Sequence, residues 1–146
     1  MNLAGRCKCF SVLAALCLAF SLSASAGEAE LKALISQVQA HAAKEDYAQA
    51  EAFARRALAE AETSFGNAHP YAAISIVLLG EALRPQEKYG EAETIQRRAL
   101  AIFEKALGPK HPATATSLIN LAAVLEKLGR NDKAAALRRR AAETKR

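Results

Sequence analysis

Residues 89–130, YGEAETIQRRALAIFEKALGPKHPATATSLINLAAVLEKLGR, restate residues 47–88, YAQAEAFARRALAEAETSFGNAHPYAAISIVLLGEALRPQEK, with identity at 16 of 42 positions. Tyr47, Ala50, Glu51, Arg55, Arg56, Ala57, Leu58, Gly66, His69, Pro70, Leu79 and Leu83 recur as Tyr89, Ala92, Glu93, Arg97, Arg98, Ala99, Leu100, Gly108, His111, Pro112, Leu121 and Leu125. A fixed period of this length marks a solenoid of stacked helix pairs, each pair burying its apolar face against the next. Such arrays present an extended surface to partners, so the repeat favours binding over chemistry.

Within each unit the apolar spacing is helical. Ala50, Phe53, Ala57, Ala61 and Phe65 fall at three- and four-residue steps, as do Ala92, Ile95, Ala99, Ile102 and Ala106. These stretches are the second helices of two pairs. Ile76, Leu79 and Leu83 mark one first helix, and Leu118, Leu121, Ala122 and Leu125 another. No segment alternates with period two, so no strand is predicted. Gly66 and Gly108 suit a left-handed residue just after a helix, and Gly129 closes the last first helix in the same way. Pro70 and Pro112 suit the first turn of the helix that follows. Pro85, which replaces Lys127, should end its helix early, because it lacks an amide proton and crowds the preceding turn.

The register extends both ways. Leu34, Val38 and His41 precede Tyr47 where Ile76, Gly80 and Leu83 precede Tyr89, which predicts a helix over about 28–43. Ala134, Arg139, Arg140 and Ala141 match Ala92, Arg97, Arg98 and Ala99. Three pairs and six helices result, with units at about 28–66, 69–108 and 111–146.

The first 26 residues are of another kind. Arg6 and Lys8 form a basic n-region, Phe10 to Leu22 is nearly all apolar, and Ala24-Ser25-Ala26 makes an A-x-A cleavage site before Gly27. The expectation is a secretory signal peptide, hence export to a periplasm or the exterior. An uncleaved, membrane-tethering anchor is the alternative, since Cys9 to Ala26 is uncharged; a lipid anchor at Cys17 fits less well. Cys7, Cys9 and Cys17 all lie in this segment, so the processed chain would have no thiol and no disulfide. Processing would leave 18 basic against 15 acidic side chains, a net charge of +3, too weak a bias to imply a nucleic-acid partner.

Several residue types resemble chemistry and lose that meaning inside the repeat. His69 and His111 occupy one loop position a unit apart, where His-Pro starts a helix, and no further ligands stand at metal-binding spacing. His41 replaces a leucine of the other units. No nucleophile triad, carboxylate pair or phosphate loop is present, so no catalytic residue, metal or cofactor is expected. Arg138-Arg139-Arg140 forms a basic patch, but two of its members belong to the repeat. Glu51 and Glu93 stand four residues before Arg55 and Arg97, a favourable helical ion-pair orientation, whereas Ala135 takes the acid's place before Arg139.

The run Tyr89-x-Glu-Ala-Glu, Arg97-Arg98-Ala99-Leu100-Ala101-Ile102, Leu107-Gly108-Pro109-x-His111-Pro112 and Ala115-Thr116-x-Leu118-x-Asn120-Leu121-Ala122 resembles the 42-residue tetratricopeptide repeat of kinesin light chain type. The resemblance implies an all-α, right-handed α-solenoid of about three helix pairs that binds a peptide or protein segment. A HEAT-like array has a similar period, but Gly80, Ala92, Ala99 and Ala122 sit where the tetratricopeptide pattern needs small residues. The resemblance further implies a groove lined by the first helices. Its candidate residues are Lys32, Ser36 and Gln39 in the first unit, Ile74, Leu78 and Glu81 in the second, and Thr116, Asn120 and Lys127 in the third. Ile74 and Leu78 point to an apolar or mixed segment rather than a clamped carboxylate terminus. Envelope assembly or surface association, through weak self-association or the basic last helix, is the second reading.

Overall fold

The computed structural model describes residues 26–144. The segment expected from sequence to be a signal peptide, as far as Ser25 and including the three cysteines, and the terminal Lys145 and Arg146 lie outside the described residues. Six helices follow one another: α1 over 26–42, α2 (Tyr47–Phe65), α3 (Pro70–Leu83), α4 (Tyr89–Leu107), α5 (Pro112–Lys127) and α6 (Asn131–Thr144). Among the described residues there is no strand, and no helix is long and apolar enough to cross a membrane. From α2 to α6 each helix packs on its successor, as a solenoid requires.

The helix starts follow from local chemistry. Pro70 and Pro112 occupy first-turn positions, and Nδ1 of His69 and of His111 accepts the backbone N–H of Tyr71 and Ala113 at 3.2 and 3.1 Å. Both histidines thus serve as N-caps. The α2 helix is capped instead by Asp46, which accepts from the N–H of Gln49.

The helix ends show a finer repeat. Glu45, Glu87 and Gly129 stand 42 residues apart and all have positive φ, at 60°, 57° and 74°. At each, two amides reach back over the helix end: Glu87 N–H to Arg84 C=O at 3.0 Å and Lys88 N–H to Leu83 C=O at 3.2 Å, matched by Gly129 to Glu126 and Arg130 to Leu125. This is the left-handed helix stop whose third copy, Gly129, has the residue suited to it. Gly66 and Gly108 differ from expectation. Their φ values of 97° and 91° go with ψ of 158° and 165°, an extended positive-φ conformation open in practice only to glycine. Pro85 acts as anticipated: α3 ends at Leu83, two residues short of the position equivalent to Lys127.

The core is built from alanine and leucine. Leu31 and Leu34 of α1 meet Ala57 and Ala61 of α2 and Ala72 of α3. Ala73 and Ile76 meet Ala99, Ile102 and Phe103, and Leu118, Leu121 and Leu125 meet Ala134 and Ala141. Ala57, Ala99 and Ala122 are fully buried. Ala106, expected on the same stripe as Ala99, is exposed, because Ile102 and Phe103 already fill the slot against α3 and the stripe rotates away in the last turn.

Candidate interaction groove

Periodicity places equivalent residues of α1, α3 and α5 in columns. Lys32, Ile74 and Thr116 form one, and Ser36, Leu78 and Asn120 the next. Between α3 and α5 the structure has a cavity of about 270 Å³, walled by Ile74, Val77, Leu78 and Glu81 from α3, Phe103 from α4, and Ala113 and Thr116 from α5. Four of the residues expected from sequence therefore meet in one place. Its lining is predominantly apolar, and Ile74 is among the few large apolar side chains left exposed. Thr116 has its hydroxyl committed, donating to Pro112 C=O at 3.1 Å, which leaves its methyl for the cavity.

A second cavity, of about 330 Å³, shares Glu81 with the first and lies toward the C-terminal ends of α3 and α5. Arg84, Pro85, Glu87 and Tyr89 form one side and Ala123 and Lys127 the other. Lys127 was expected from sequence. The remaining candidates lie elsewhere: Lys32, Ser36 and Gln39 are exposed on α1 and line neither cavity. Lys32 pairs with Glu28 at 2.6 Å, and their hydrogen bond lowers the Glu28 pKa and raises that of Lys32. Asn120 is half-buried and lines neither cavity, yet its Nδ2 is shielded from water without an acceptor.

Residues that sequence reasoning did not place in the groove are Val77, Phe103, Ala113, Arg84, Pro85, Glu87, Tyr89 and Ala123. Phe103 and Tyr89 come from a second helix, so a rule confined to first helices passes over them. Ala113 follows directly after Pro112 and reaches the cavity only because α5 begins beside α3. The signal that could have found Arg84 is its mismatch with Glu126, the residue 42 positions on.

Another face carries charge. Glu51, whose side chain is only 12% exposed, pairs with Arg55 and Lys88 at 2.8 Å and accepts from Gln86 Nε2 at 2.8 Å. The Lys88 hydrogen bond, followed by those of Arg55 and Gln86, holds its carboxyl down to about 2. Glu93 repeats the arrangement with Arg97 and Arg130, both at 2.8 Å. Arg98 pairs with Glu62 and Arg140 with Glu104, so each bridges one unit to its predecessor. The intrahelical pairs follow the sequence reading; the bridges between units do not appear in it. Arg138 is held by Glu126 through two bonds of 2.7 and 2.9 Å, so of the three consecutive arginines only Arg139 has no ion-pair partner among the described residues.

A tetratricopeptide repeat family model matches residues 71–146, and a second model of the same description matches residues 38–71. No curated protein matches the chain significantly.

Proposed function

Because the chain belongs to the tetratricopeptide repeat family, a family of protein-interaction modules, we propose that it is an exported binding module that holds an extended protein segment in the groove between α3 and α5. The observation that carries this is the convergence of Ile74, Leu78, Glu81 and Thr116 around one largely apolar cavity, with the buried Phe103 also in its lining. An apolar side chain of a ligand would anchor there, and most of the binding energy at such a surface comes from a few buried anchors. Export rests on the n-region, apolar stretch and Ala24-Ser25-Ala26 of the sequence.

The basic last helix offers less. Arg138 and Arg140 are occupied by Glu126 and Glu104, so an anionic surface would have to displace those carboxylates or rely on isolated charges.

Binding is tested by capture from the exporting cell's envelope, followed by affinity measurement with substituted chains. Leu78→Glu and Ile74→Ser, both in the cavity wall, should each weaken the captured complex by about 1 kcal/mol or more, without loss of helical circular dichroism. If both bind like the unsubstituted chain while changes at Arg97 and Arg98 abolish binding, the groove is not the site. Export is checked by intact mass of protein taken from the envelope. A chain beginning at Gly27 is expected, and retention of residues 1–26 would favour the tethered form.

A further inference from the structure

The first unit departs from the others at positions that come together in space. Gly27 stands where the following units have the capping His69 and His111, so α1 has no side chain to cap its start from that position. Glu60 stands where α4 has Ile102, and Ser64 where it has Ala106, so two polar side chains replace apolar ones on α2. Gly27 is buried, and a Cβ placed on it would lie 2.4 Å from Ser64 Oγ and 3.1 Å from Glu60 Oε1. A side chain there would have to displace Ser64. The Ser64 hydroxyl donates to Glu60 Oε1 at 2.5 Å, yet Glu60 takes part in no ion pair among the described residues. A cavity of about 250 Å³, which Glu60 shares with Glu30, Leu34, Arg56, Ala59 and Thr63, leaves room between α1 and α2.

Resting on the processing proposed above, we infer that the α-ammonium created at Gly27 pairs with the Glu60 carboxylate and ties α1 to α2, so that removal of the leader completes the first unit. Hydrolysis of the Ala26–Gly27 bond consumes one water. Its hydroxyl goes to the Ala26 carbonyl and its hydrogen to the Gly27 nitrogen; the proton that the new carboxyl releases at neutral pH is balanced by the one the amine takes up. In the unprocessed chain the same nitrogen is a neutral amide, and the pair cannot form. A Cβ on a helix points back toward the N-terminus, so Glu60 and Ser64 lie on the side from which the Gly27 nitrogen leaves. Standard geometry puts that nitrogen about 2.5 Å from the Cβ position, hence within about 6 Å of Glu60 Oε1. Once residue 26 is gone, the terminus is free to turn toward the carboxylate.

A positive charge at a helix N-terminus opposes the macrodipole, so an unpaired ammonium would loosen the first turn of α1. Glu28 is already engaged by Lys32 and Tyr71, at 2.6 and 3.4 Å, and the exposed Glu30 could offer only a screened pair. Glu60 is half-buried and already oriented by Ser64, so pairing with it orders little that is not ordered beforehand. The competing cation on α2 is Arg56, whose guanidinium sits 5.5 Å from the Phe53 ring centre. At the start of α3 the titratable side chains are His69, which caps its own helix, and Tyr71, which donates to Glu28.

The test uses protein purified from the envelope, its N-terminus established by intact mass. The midpoint at which the α-amine titrates, read from the pH dependence of its acylation rate, should lie about half a pH unit or more above the ordinary value of about 7.7 to 8.0. Glu60→Gln should bring it back. A raised amine value means that the stabilisation is complete below about pH 7.7 and is lost as pH rises through the folded-state value. The urea midpoint of the unsubstituted protein should therefore fall more steeply between about pH 7 and 9 than that of Glu60→Gln, or than that of protein acetylated on its α-amine. Equal amine midpoints in the two chains overturn the pairing and leave export and the groove standing. A loss of stability in Glu60→Gln that persists undiminished after acetylation assigns Glu60 to its contact with Ser64 and overturns the pairing too. If Glu60→Gln does not fold, the acetylated protein decides: a pH profile identical to that of the free amine overturns the pairing. Envelope protein that retains residues 1–26 overturns the pairing together with the processing on which it rests.

Discussion

Three positions 42 residues apart adopt one backbone conformation, and only one has the residue that conformation favours. Glu45 and Glu87 sit at φ of 60° and 57°, where Gly129 sits at 74°. A left-handed residue with a Cβ costs about 1 to 2 kcal/mol, while glycine loses about 0.5 to 1 kcal/mol more backbone entropy on folding. The first effect wins. Glu87→Gly should therefore raise stability by about 0.5 to 1 kcal/mol in urea denaturation, and Gly129→Ala should lower it by about 1 kcal/mol. A destabilised Glu87→Gly would mean that the glutamate side chain contributes more than its backbone strain removes. The repeat alignment alone identifies Gly129 as the odd member beside Glu45 and Glu87. What it could not show is that the backbone stays the same, because that depends on the amides of Glu87 and Lys88 reaching Arg84 and Leu83.

Between elements, the informative contact is α3 on α4. A Cβ placed on Gly80 would lie 2.1 Å from Gln96 Nε2 and 2.9 Å from its Cδ, and Gln96 is fully buried, with its Oε1 lacking a partner. Other units solve the same packing with different sizes: Val38 shares a cluster with Ala54, the residue equivalent to Gln96. Gly80→Ala should cost about 1 to 3 kcal/mol by overpacking, and Gln96→Ala in the same chain should restore most of it. Additive losses in the double variant would show that the two positions do not share the space. Ala99 is a stricter case, because it is fully buried between Ala73 and Phe103. Ala99→Leu should lower the melting temperature markedly while the exposed Lys105→Leu leaves it nearly unchanged; equal effects would mean the helix phase is misassigned.

At the scale of the whole array, ion pairs link each unit to the next. Glu51 reaches Lys88, Glu93 reaches Arg130, Glu62 reaches Arg98 and Glu104 reaches Arg140. The Glu51 carboxyl is held at about 2, below the ordinary 4.5, chiefly by Lys88. A depressed carboxylate pKa means that this stabilisation is complete above the unfolded value and is lost as pH falls from about 5 toward 2. The urea midpoint should drop across that interval. Glu51→Gln should be less stable at pH 7 by about 1 to 2 kcal/mol, and the gap should close by pH 2. A gap that stays constant with pH would assign the loss to packing instead of charge. In a linear array such bridges couple neighbouring units, so the loss should also broaden the transition.

Helix count, the order of pairs, their boundaries at His-Pro and the alanine seams apart from Ala106 were determined by the sequence alone, because each is set by residues close in the chain: an apolar period, a cap, a proline. Family membership was legible for the same reason, since the repeat carries its own alignment. The groove was legible in part. Columns of equivalent residues place Ile74, Leu78 and Thr116 together, but Lys32, Ser36 and Gln39 occupy matching columns on α1 and line neither cavity. Tertiary structure decided the rest. Phe103 and Tyr89 reach the cavities from a different helix, Glu51 finds Lys88 across a unit boundary, and Arg84 is left without an acceptor. The physical reason is that helical periodicity specifies which way a side chain faces, whereas what it meets there depends on the spacing and offset of another helix, which the whole packed array sets.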